Sequence, residues 1–73
     1  MKMTAQRFDE LRQTITIHNI PLKDASTDEV FREWEGGMYL DSACGLTEEQ
    51  DERLTAVERE LMSRPETNEP REN

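Results

Sequence analysis

The chain reads as a mainly α-helical protein, with three short helices, a short two-stranded β ribbon and a disordered polar C-terminal tail. Three observations predict this. Apolar residues recur at three- and four-residue spacing in three separate stretches. Two of those stretches open on a serine or threonine followed three residues later by Glu or Gln, the capping-box pattern. Between the first two, Thr14-Ile15-Thr16-Ile17-His18 alternates polar and apolar side chains and is mostly β-branched, as strands are.

Taken in order, Thr4 is a fair N-cap, and Phe8, Leu11 and Ile15 follow at helical spacing, predicting a first helix over residues 5–13. The segment after it, 14–18, is predicted extended, and Pro21 keeps Ile20 out of the α region. Ser26-Thr27-Asp28-Glu29 opens the second helix, 27–35, and its two acids suit the positive end of the helix dipole. Gly36-Gly37 is predicted to end it, because glycine takes the left-handed cap conformation without steric cost. Met38-Tyr39-Leu40 then reads either as the second strand of the ribbon, paired with 14–18, or as a packed loop. Asp41–Gly45 reads as a turn. Thr47 and Gln50 form the second capping box, and Leu54, Val57 and Leu61 supply the buried stripe of a third helix over 48–63. Glu49 to Arg53 and Glu60 to Arg64 are i, i+4 pairs in the better orientation, and Pro65 marks the stop. The expected core is Phe8, Phe31, Trp34, Leu54, Val57 and Leu61.

With 73 residues the chain makes one domain, placed at 1–64. Residues 65–73 hold no apolar side chain and cannot offset their ordering entropy by burial, which predicts a flexible tail. A domain this small does not easily hold both a stable core and a deep substrate pocket, a physical argument against an enzyme. The net charge is −8, unevenly divided. Residues 1–40 hold seven acids against five bases (5 − 7 = −2), and residues 41–73 hold ten against four (4 − 10 = −6). That balance argues against direct contact with a nucleic-acid backbone, which is gripped by clustered Lys and Arg. It suits a basic partner surface, or mimicry of nucleic acid, or simply solubility. No run resembles a signal peptide or a membrane span, and the lone Cys44 permits no internal disulfide, so the expected location is the cytoplasm.

No catalytic, metal or cofactor set emerges. His18 stands alone, without a second imidazole to share a metal. Cys44 would need a base held near it, and only His18 is available. Ser42 and Ser63 lack a nucleophile-elbow context, and Gly36-Gly37 and Gly45 lack the spacing of a phosphate loop. The acids of the third helix, Glu48, Glu49, Asp51, Glu52, Glu58 and Glu60, follow no calcium-loop pattern. They form a solvated face or a docking face for a basic surface. The β-prone segment offers a strand edge, and edge pairing is a common way for a small protein to grip a larger one. The candidate protein-binding residues are therefore Ile15, Ile17, His18 and Ile20 on that edge, Tyr39 as an exposed aromatic, and Glu48, Glu49 and Glu52 on the acidic helix.

In length, acidity, absence of a catalytic set and possession of a short tail, the chain resembles small host-takeover proteins of bacteriophages. These include RNA-polymerase-binding transcription inhibitors, antitermination factors and anti-CRISPR proteins. The resemblance implies a non-enzymatic regulator, monomeric when free, that binds a protein such as a host RNA polymerase subunit and inhibits or antiterminates transcription. Two other expectations stand beside it: an acidic nucleic-acid mimic with anti-defence activity, and an antitoxin-like partner whose tail folds on its toxin.

Overall fold

A computed structural model describes residues 3–65 of the chain. Its elements run α1 (Ala5–Thr14), β1 (Thr16–Ile17), β2 (Ile20–Pro21), a single 3-10 turn (Leu22–Asp24), α2 (Thr27–Cys44) and α3 (Glu48–Ser63). The protein is mainly α, as the spacing of apolar residues predicts. The predicted tail, 65–73, lies outside the described residues except for Pro65.

Each helix begins where its cap residue places it. Thr4 accepts the backbone N–H of Arg7 at 3.1 Å, and Ser26 accepts that of Glu29 at 3.3 Å. At α3 the capping box is complete: Gln50 N–H donates to Thr47 Oγ1, and the Gln50 side chain accepts the Thr47 N–H at 3.0 Å. At α2 it is altered, because the Glu29 carboxylate accepts the Ser26 hydroxyl, not its backbone N–H.

Two expectations fail together, and packing explains both. Gly36-Gly37 does not stop α2, which continues to Cys44 and ends at Gly45, φ 82°. A Cβ on Gly37 would stand 2.5 Å from Leu54 Cδ1, so the glycine lies inside α2 to let α3 approach, not beyond its end to cap it. Met38-Tyr39-Leu40 is consequently helical, and neither a strand nor a loop. The predicted turn at Asp41–Gly45 is reduced to the cap at its last residue. The ribbon pairs locally instead: Thr16 faces Pro21 and Ile17 faces Ile20, antiparallel, across the two-residue loop His18-Asn19. Both loop residues have positive φ, 52° and 67°, the handedness of a type I′ hairpin turn. Pro21 is tolerated because it sits on an edge strand that has no further strand partner among the described residues to receive an N–H.

The core is Leu11, Ile15, Ile17, Leu22, Ala25, Val30, Ala56, Val57 and Leu61, with Met3, Phe8 and Trp34 packed against it. Of the expected core, Val57 and Leu61 are buried and Phe8, Trp34 and Leu54 are half-buried, but Phe31 is 43% exposed. The correction at Phe31 follows from which face of α2 meets the core, since Phe31 lies about 100° round the helix from buried Val30. A helix that runs past Gly37 along α3 turns Val30 and Gly37 inward and leaves Phe31 on its flank.

Glu60 is buried in this core, 1% exposed. Arg12 Nε stands 2.8 Å from Glu60 Oε1, and Arg12 Nη2 and Arg64 Nε donate to Oε2, each at 3.1 Å. Arg64 also donates to the carbonyls of Ala25 and Leu22 and to the Thr27 hydroxyl. It thereby ties the end of α3 to the 3-10 turn and the start of α2. The i, i+4 pair visible in the sequence is therefore an interior junction of three elements, where a solvent-facing pair was the simpler expectation.

Candidate functional site

The candidate contact residues separate into three places. Ile15 and Ile17 project into the core, 9% and 5% exposed. Alternation along 14–17 correctly marks one inward face, but that face is filled by the protein itself, so these two are packing residues and not surface contacts. His18 is exposed at the tip of the hairpin, and Ile20 beside it is 39% exposed. The predicted strand edge is only two residues long on each side. The Thr16 carbonyl on it already accepts Arg53 Nη2 at 3.2 Å.

Glu48, Glu49 and Glu52 lie together at the start of α3, lining a depression of about 490 Å³ with Met3, Thr4, Arg7, Asp51 and Thr55. Glu52 is committed internally. Its two carboxylate oxygens accept Arg7 Nε and Nη2, both at 3.0 Å, joining α3 to α1. Those hydrogen bonds, with the attraction of the guanidinium, hold the Glu52 carboxyl below its ordinary range. Of six acids expected on one solvated face, Glu52 is thus paired and Glu60 is buried. The fixed charge available to a basic surface shrinks to Glu48, Glu49, Asp51 and Glu58. Arg53 pairs with Glu33 of α2 at 3.2 Å, not with Glu49 as the spacing suggested.

Tyr39 is 77% exposed, as its sequence context predicts. Its neighbours on α2 include Phe31 and Trp34, both expected in the core, and Met38, whose type suits a core or an interface equally. Phe31 and Met38 are exposed on α2, and Trp34 lies half-buried below them with its ring 5.8 Å from that of Phe31. The Trp34 indole N–H is shut off from water and has no hydrogen-bond partner among the described residues. The signal for this cluster is 3.6-residue periodicity carried through Gly36-Gly37 to Met38, which reading the glycines as a stop conceals. The opposite flank of α2 meets α3 in a groove of about 270 Å³ lined by Arg32, Gly36, Leu40, Leu46 and Leu54, among others.

Cys44, at the end of α2, directs its thiol toward the carbonyls of Leu40 and Gly45. Among the described residues no group of three or more His, Cys, Asp or Glu is arranged to hold a metal ion, and no helix is long and apolar enough to cross a membrane.

Fold and surface together define a small three-helix domain with a β-hairpin insert, whose most distinctive surface feature is an aromatic and methionine cluster on its middle helix. No protein-family model, curated protein or solved structure matches this chain.

Proposed function

We propose that the chain is a non-enzymatic protein-binding regulator that acts in the cytoplasm, monomeric when free, by docking onto a large macromolecular machine. RNA polymerase is the first machine to test, in keeping with the resemblance to phage-encoded regulators of host transcription. The observation that supports this reading is the exposure of Phe31, Met38 and Tyr39 together on one flank of one helix, beside the scattered exposure of Ile20, Leu40 and Met62 elsewhere among the described residues. Aromatic and methionine side chains supply much of the affinity at protein interfaces, and a small domain gains little by leaving them in water. Regulation would follow by occlusion or by favouring one conformation of the partner. A nucleic-acid mimic is the weaker reading, since Glu52 and Glu60 are neutralised within the fold.

The test is capture from bacterial lysate with the tagged full chain at low salt. Polymerase subunits, or another defined large complex, are expected to be enriched by the unaltered chain. They should be lost with Met38→Lys at unchanged helical content, and released as salt screens the ionic part of the attraction. Enrichment of no such complex, or capture indifferent to Met38→Lys, would overturn the reading.

A further inference from the structure

At 100° per residue along α2, Phe31, Trp34, Glu35, Met38 and Tyr39 fall on one flank, with Asp28 and Asp41 toward its two ends. Three acids therefore rim the apolar cluster. One base, Arg32, stands at the edge of the flank, about 20° beyond Tyr39, where it also lines the groove toward α3, so the acids outnumber it three to one. Phe31, Glu35, Met38, Tyr39, Asp28 and Asp41 are all exposed.

An apolar stripe along a helix is covered most directly by another amphipathic helix, and methionine adapts its shape to such a partner. The rim selects among occupants. A second copy of this chain would bring the same three acids and its own net charge of −8 against them. Nucleic-acid backbones and anionic lipid surfaces carry the same sign. We propose, resting on the protein-binding reading above, that this flank of α2 seats a cationic amphipathic helix of the partner. Its apolar stripe covers Phe31, Met38 and Tyr39, and its lysines or arginines meet Asp28, Glu35 and Asp41.

The test titrates the isotope-labelled full chain with three synthetic peptides of about five helical turns. One has Leu and Lys in amphipathic register, the second has the same composition scrambled, and the third has Leu and Glu in register. The first should shift amide signals across residues 28–42 and move the emission of Trp34, the chain's only tryptophan, to shorter wavelength. The other two should bind at least tenfold more weakly. Glu35→Lys with Asp41→Lys should weaken the first peptide at least tenfold without lowering the melting temperature. Equal binding of the scrambled peptide, largest shifts over residues 48–58, or self-association of the free chain through residues 28–42 would overturn the proposal. So would binding to vesicles of phosphatidylcholine through the same flank in place of the peptide. A partner captured through α2 by a segment other than a cationic helix would overturn the occupant and leave the protein-binding reading standing. No captured partner, together with an unmoved α2, would overturn both.

Discussion

Glu60 lies between two guanidiniums, and its position gives Arg64 a weight that its place near the end of the chain does not suggest. Removing Arg64 leaves Glu60 with Arg12 alone and takes a donor from the carbonyls of Ala25 and Leu22, at a cost of about 2 kcal/mol. Arg64→Ala should therefore lower the urea midpoint by a large fraction of the total stability, whereas Glu58→Ala, on the exposed face, should change it by less than about 0.5 kcal/mol. Spacing made the Glu60–Arg64 pair legible. Its burial was not, because the third member, Arg12, is 48 residues away in sequence. Glu52 supplies a pH prediction. Its carboxyl is held below the ordinary range by Arg7, so the stability it contributes is present above the unfolded value of about 4.3 and fades as pH falls through the lower folded value. Glu52→Gln should flatten the fall in stability on acidification through that window, measured by denaturation at stepped pH.

Helix α2 shows where local signals give way to packing. Ser26 and the first turn behave as the sequence predicts, but Gly36-Gly37 reads as a terminus until Leu54 is known to press on Gly37. The two glycines should separate by mutation. Gly36 has open space at its Cβ position, so Gly36→Ala should stabilise by up to about 1 kcal/mol through helix propensity alone. Gly37→Ala must displace Leu54, so its thermal midpoint should fall below that of Gly36→Ala, and Leu54→Ala should lessen the difference between the two. In the hairpin, His18 and Asn19 both occupy left-handed backbone, which costs a residue such as His about 1 kcal/mol. His18→Gly should raise stability by about that amount, a gain visible in the same denaturation curves. Alternation identified the inward face of β1 correctly. Its partner was missed because His-Asn is a weaker turn signal than Asn-Gly, and because Pro21 disguises a strand.

For the molecule as a whole, charge and apolar exposure act against each other. A net −8 keeps copies apart at neutral pH, and that protection vanishes near the isoelectric point of about 4.5. Light scattering should rise as pH approaches that value, and Met38→Lys should reduce the rise by breaking the exposed cluster on α2. The number of helices, their starts and the span of α3 were legible because caps and periodicity are local. The exposed cluster was not, since it depends on a helix continuing where its own sequence suggests a stop. The position of α3 has one more consequence. Ala56, Val57 and Leu61 complete a core whose other buried members lie between Leu11 and Val30, and Arg64 fastens them from the last described turn. During synthesis the amino-terminal portion emerges first. Leu11, Ile15, Ile17, Leu22 and Val30 must then wait, uncovered, until α3 has been translated, and over that interval the nascent chain is a natural client for chaperones.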